Sequence, residues 1–268
     1  MGKQVVGFPV EFKADSHLLV HMNVEALSER IKEAANLAGF NLSYYGEIDG
    51  IGLPVLERRC RDDAPEIYIS SGVHGDEPAP PLAVLEMLKL KGFPESANYT
   101  LFPLINPTGL QAGTRENRDG IDLNRDYGSS PASKEIRSQV DWLGKRKFGL
   151  TMCLHEDYDG NGFYVYAHSK DKDGPDYAGL AISAAHPFTG TDTRTEIDEM
   201  PAKDGRMFPP MDAMDRNRED LPEALRLLFH HSAQVSITTE TPSGQNITSR
   251  IAAQCAVLSQ VMKTFLTS

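Results

Sequence analysis

Residues 66–77 read Glu66-Ile67-Tyr68-Ile69-Ser70-Ser71-Gly72-Val73-His74-Gly75-Asp76-Glu77. The apolar run up to Val73 has the look of a buried strand, and Pro78, Pro80 and Pro81 suit the first turn of a following helix. His74 and Glu77 stand three apart where strand gives way to helix, so their side chains can converge on one point. Alone, the pair also reads as a helix-capping acid beside a hydrogen-bonded histidine. With a distant third ligand it becomes a site of two His and one Glu, a set that leaves a coordination position open on zinc and suits hydrolysis.

Working outward, Asn23 to Phe40 has helical spacing, with Asn23 as cap and Gly39 as stop. Gly52 to Cys60 and Tyr99 to Leu104 read as strands. Between Asn106 and Pro131 lies a long polar loop, and loops of that length are usually functional. Ser133 to Leu143 is helical. Phe148 to Leu154 is a buried-type strand ending at His155, and residues 163–168 form another. Order signals fade from Ser169 to Asp220. Leu221 to His231 is helical, Gln234 to Thr239 is a strand ending at Glu240, and Ile247 to Thr267 closes with a helix. Strands alternating with helices, without a linker or repeat, predict one domain over 1–268: a three-layer α/β/α sandwich about a mixed, mostly parallel sheet. His74, Glu77, His155 and Glu240 all follow strands, the end of such sheets where ligands bind.

The 268 residues carry a net charge of −11, which argues against nucleic acid or an anionic membrane as partner. No apolar run is long enough for a bilayer span, and the N-terminus lacks a secretory core. Three cysteines without metal-knuckle spacing predict free thiols and a cytoplasmic setting.

His155 is the candidate third ligand. Arg115, Asn124 and Arg125 share one loop, and a planar guanidinium fork grips carboxylates or polarises carbonyls. Glu240, at the end of a buried strand, is expected to gain proton affinity by desolvation. In this order the elements resemble the zinc carboxypeptidase family: His74-x-x-Glu77, Arg115 nine residues before Asn124-Arg125, His155, then Glu240. They are most like short bacterial members that cleave murein peptides, and the related aspartoacylase and succinylglutamate desuccinylase amidases. The resemblance implies one zinc per chain on His74, Glu77 and His155. Glu240 becomes general base and acid, Arg115 the oxyanion stabiliser, and Asn124 and Arg125 the clamp on a substrate carboxylate. The expected substrate is a small peptide or an N-acyl amino acid with a free carboxylate. Two departures stand out. Asp126 replaces the Asn often found after Asn-Arg, and no covering tyrosine is assignable, Tyr164 and Tyr166 being candidates by aromaticity alone.

Other signals rank lower. Asp157, Asp159 and Asn161 match half a calcium loop, but its twelfth position is His168 instead of glutamate. His230 and His231 read as structural, and His17, His21, His168 and His186 lack partners at ligand spacing. Asp76, Glu156 and Asp157 are the residues available for a second metal. Residues 155–220, which include Met207-Phe208-Pro209-Pro210-Met211, carry most of the negative charge. This stretch predicts either a solvated surface or an acidic rim, with Asp198 and Glu199, that attracts an amine-bearing substrate.

Overall fold

The computed structural model describes residues 23–207, 209 and 215–268. His17, His21, Phe208, Pro210 and Met211 lie outside them. Helix α1 (Val24–Leu37) is capped by the Asn23 side chain, which accepts the Ala26 N–H, and buries Leu27, Ile31 and Ala34. Strands β1 (Asn41–Ile48) and β2 (Ile51–Arg58) form a hairpin about Asp49-Gly50, both at positive φ, a turn whose twist matches that of the strands. Next come β3 (Glu66–Ser71), α2 (Ala79–Lys89) and β4 (Asn98–Phe102). The polar loop contains α3 (Pro107–Ala112) and one 3-10 turn, Leu123–Arg125. Helix α4 (Lys134–Leu143) starts at a Ser133 cap. Then follow β5 (Leu150–Asp157), β6 (Tyr164–Ser169), α5 (Tyr177–Thr189) and the short strands β7 (Glu196–Ile197), β8 (Met200–Lys203) and β9 (Arg206–Met207). Helix α6 (Glu223–His230), β10 (Val235–Pro242) and α7 (Ile247–Phe265) complete the chain.

Three differences from expectation stand out. β1 was unexpected, because its polar, edge-like sequence lacks a clear apolar alternation. The stretch 169–220 holds α5 and three strands. α5 is rich in alanine with Pro187 in its last turn, and it stays helical because Tyr177, Ala181 and Ala185 bury beside α7. β5 and β10 also run on through His155 and Glu240 instead of stopping before them.

The sheet order is β1-β2-β4-β3-β5-β10-β6-β9-β8-β7. The central strands β4, β3, β5 and β10 are parallel to one another, and antiparallel pairs flank them on both sides. The sheet is therefore mixed, with a parallel centre and one further parallel pair, β6 and β9, toward the β7 edge. One core lies between the sheet and α1, α2, α5 and α7, and a second packs α4 and α6 on the other face. Along β5, Met152 and Leu154 enter the first core and Cys153 the second. By that alternation His155 faces the α6 side and Glu156 faces α2 and α7. All three cysteines are free, with Cys153 and Cys255 buried. Among the described residues, no helix is long and apolar enough to cross a membrane.

The loop that carries Arg115 is pressed onto the end of β3 at Gly75, whose N–H donates to the Arg115 carbonyl (3.4 Å). A methyl group at Gly75 would come within 1.8 Å of the Gly109 carbonyl carbon, and backbone cannot yield as a side chain can. Gly75→Ala should therefore lower stability by about 3 kcal/mol, read as a falling urea midpoint. An unchanged midpoint would show that the loop is not locked there.

Candidate active site

Strands β3, β5 and β10 run side by side, with Ser71 opposite Leu154 and His155 opposite Glu240. Three residues beyond β3, His74 therefore reaches the same end of the sheet as His155. His74 Nδ1 lies 2.5 Å from Glu77 Oε1, and His155 Nδ1 lies 3.1 Å from Glu77 Oε2. The donor atoms of the three side chains all fall within 4.8 Å of one another, and all three residues are buried. Two imidazole nitrogens and a carboxylate at that spacing fit a zinc-type ion, a set with room for a further ligand.

The charges respond to this crowding. Burial pushes the Glu77 carboxyl up, but His74 and His155 outweigh it and hold it at about 2. Burial works against a charged His74 ring, yet Glu77 and Asp122 prevail and raise it to about 9. Asp122 was not among the residues read as functional. Its Oδ1 lies 3.2 Å from His74 Nε2 and accepts the Asn124 N–H, and its Oδ2 accepts from Arg115 Nε (3.0 Å). It thus orients a candidate ligand ring through its outer nitrogen, as the partners of metal-bound histidines do. The signal was present in Asp122-Leu123-Asn124-Arg125 as a carboxylate two residues before Asn124.

Arg115, steered by Asp122, places Nη1 3.8 Å from Glu77 Oε1. The Asn124 side-chain oxygen accepts the Glu223 N–H at the start of α6 (2.9 Å), which leaves its amide nitrogen, among the described residues, free to donate. Glu223 is itself fixed: its carboxylate accepts from Tyr68 Oη, Ser70 Oγ and Gln139 Nε2. Arg125 is exposed and donates to the Asn124 carbonyl. Asp126 accepts the Ser133 N–H at the cap of α4, so it serves the loop rather than the pocket.

Glu240 lies beside His155 across β5 and beside Tyr164 across β6. Burial pushes its proton affinity well above that of an ordinary carboxylate; His155 opposes this, while Glu77 and Asp157 add to it. Tyr164 and Tyr166 line the same cleft, their rings 5.9 Å apart. The cleft encloses about 830 Å³ above the β5, β10 and β6 face and reaches His74, Glu77, Arg115, Asn124, Arg125 and His155.

Two of the three residues weighed for a second metal, Glu156 and Asp157, are engaged otherwise. Glu156 accepts from Ala79 N–H at the start of α2 and from Arg250 Nη1 (2.5 Å); burial, partly offset by Arg250, raises it to about 7. In the calcium-like loop, Arg194 bridges Asp157 (2.7 Å) and Asp192 (2.8 Å), so a guanidinium supplies the positive charge there. Asp76 lies exposed outside the cluster. His231 bonds the Arg146 carbonyl, and His186 bonds Thr191.

Residues 63–185 match the succinylglutamate desuccinylase/aspartoacylase catalytic domain. Among solved structures, a candidate metallopeptidase from Shewanella denitrificans is similar at 27 % identity and TM-score 0.77, with 91 % of each chain covered. Another from Shewanella baltica has 24 % identity and TM-score 0.77, covering 90 % of this chain and 92 % of that one. A metallo-carboxypeptidase from Burkholderia cenocepacia has 16 % identity and TM-score 0.66, covering 91 % and 69 %; these last two likenesses concern the fold. No curated protein matches. The chain is thus similar to the succinylglutamate desuccinylase/aspartoacylase catalytic domain over part of its length and to metallopeptidase structures over most of it, and both likenesses point to a hydrolase.

Metal ligation needs a neutral imidazole, whereas His74, raised to about 9, holds a proton at neutral pH in the metal-free protein. A metal ion bound there must displace that proton. Apparent zinc affinity should thus rise roughly tenfold per pH unit from pH 6 to 8 and level off above the His74 value. Competition titration against a chelator reads this directly, and a flat profile from pH 6 to 8 would contradict it.

Proposed function

We propose that the protein is a zinc-dependent hydrolase that cleaves an amide bond next to a free carboxylate, as a carboxypeptidase or small-peptide amidase. One observation carries the reading: His74, Glu77 and His155 converge at the base of a cleft in which Glu240 is the register neighbour of His155. His74 and His155 would hold one zinc through Nδ1, and Glu77 through its carboxylate. Bound zinc lowers the pKa of water to about 7 and polarises a carbonyl.

The chain's own groups do the rest. Glu240, with its raised proton affinity, takes a proton from the attacking water and delivers it to the leaving amine. Arg115, held by Asp122, faces the oxyanion that develops on the scissile carbonyl. The Asn124 amide nitrogen and the Arg125 guanidinium receive the substrate carboxylate, a small peptide or N-acyl amino acid supplying it. The match of residues 63–185 favours a second reading with the same machinery, a deacylase that removes an acyl group from an amino acid. The two differ only in what occupies the acyl side.

Glu240→Gln keeps the shape of the site but cannot accept the proton. Its kcat should fall by about 10²–10⁴-fold on a panel of N-acyl amino acids and dipeptides, with zinc content unchanged. Turnover within a factor of about three of wild type would remove Glu240 from the reaction.

A further inference from the structure

Helix α6 begins without a cap of its own. Pro222 stands at its N-cap position and offers no side-chain acceptor, so the N–H of Glu223 has no partner in its own turn. Asn124 supplies the acceptor from 99 residues away: its side-chain oxygen takes that N–H at 2.9 Å, while the Asp122 carboxylate takes the Asn124 N–H. Two further bonds join the same segments. Tyr127 N–H donates to the Leu221 carbonyl (3.2 Å), and Arg226 Nη1 donates to the Tyr127 carbonyl (2.9 Å). The loop that bears the candidate carboxylate clamp is thus fastened to the start of α6.

The Glu223 side chain fastens α6 in turn to the strand that delivers the ligand pair. The residue is 1 % exposed, and the groups bonded to its carboxylate are all donors. Tyr68 and Ser70 of β3 donate to it, Ser70 at 2.8 Å, and Gln139 of α4 donates at 3.2 Å. Gln139 also donates to Tyr68 Oη (2.9 Å) and accepts from Tyr127 Oη (2.6 Å), which closes the network onto the clamp loop. Ser70 lies four residues before His74. Glu223 therefore has its N–H on the clamp and its carboxylate on the strand of His74. Its neighbours Pro222 and Ala224 line the cleft, whereas Glu223 itself lies beneath.

We propose that Glu223 is a positioning residue for substrate recognition: by holding the Asn124 oxygen it keeps the amide nitrogen for the substrate carboxylate, and it sets the clamp at a fixed reach from His74 and Glu77. A reversed Asn124 amide would present its oxygen to that carboxylate, two acceptors with no proton between them. The inference rests on the hydrolase reading and deepens it. Glu223→Gln keeps the size of the side chain but replaces one acceptor oxygen by an NH2 that faces donors. Ser70→Ala deletes one anchor on β3 outright.

The test uses the zinc-loaded full-length chain: wild type, Glu223→Gln, Ser70→Ala, Asn124→Ala and Asn124→Ala/Glu223→Gln. Calorimetry compares binding of N-acetyl-alanine with that of N-acetyl-alaninamide. Steady-state kinetics follow the best-cleaved member of a panel of N-acyl amino acids and dipeptides, and melting temperature checks folding. Wild type should bind the acid more tightly than the amide. Glu223→Gln and Ser70→Ala should each lose about fivefold of that preference, the scale of one hydrogen bond, and raise KM by the same factor with kcat and zinc content unchanged. In the Asn124→Ala background Glu223→Gln should cost nothing further, because the two residues act as one unit. Full preference retained by either folded variant, or additive losses in the double variant, overturns the proposal. So does a wild type that binds acid and amide equally. A wild type that prefers the acid yet cleaves nothing in the panel overturns the hydrolase reading and leaves the positioning role standing.

Discussion

The site depends on the parallel register of three central strands. With Ser71 opposite Leu154 and His155 opposite Glu240, the ends of β3, β5 and β10 bring a candidate ligand pair, a third ligand and a carboxylate to one edge of the sheet. A slip of one residue along β5 would turn His155 into the first core and Glu156 into the cleft. That slip is opposed from both faces. Cys153 belongs to the α4 and α6 core, while Glu156 is tied to Arg250 and to the first N–H of α2. Gln254 of α7 also donates to the His155 carbonyl (2.9 Å), so the backbone at the site is held as firmly as the side chains.

Charge is arranged by the same packing. Glu156 and Asp157 are paired by arginines from distant segments, so an acid left without a cation is informative. Glu240 stands beside the cluster as the register neighbour of His155. A carboxylate as desolvated as Glu240 is costly to charge unless a proton, a metal or a substrate cation answers it. The buried Glu223 is the contrasting case: it is answered by three neutral donors, and its backbone N–H sets the orientation of Asn124.

Much of this was legible from residue order alone. β3 and β5 carry the apolar runs Ile67-Tyr68-Ile69 and Met152-Cys153-Leu154, and the polar residues that follow them stand out by contrast. His74, Glu77, His155 and Glu240 were readable for that reason, and the structure brings them to one place. β1 was not read as a strand, although Asp49-Gly50 carried the signal of a two-residue hairpin. α5 was hidden because its helical state depends on packing against α7 rather than on a polar and apolar stripe. The part played by Asp122 could not be fixed from the sequence, since a carboxylate two residues before Asn124 reads equally well as a turn former. The jobs of Glu156 and Asp157 depended on Arg250 and Arg194, which lie 94 and 37 residues away in the chain.

The central claim is that His74, Glu77 and His155 together hold a metal. Its most direct test is elemental analysis of wild type and His155→Ala, purified without added metal and again after incubation with zinc and desalting. The account predicts about one zinc per wild-type chain and almost none in a folded His155→Ala. A well-folded wild type that retains no zinc even after incubation would contradict it.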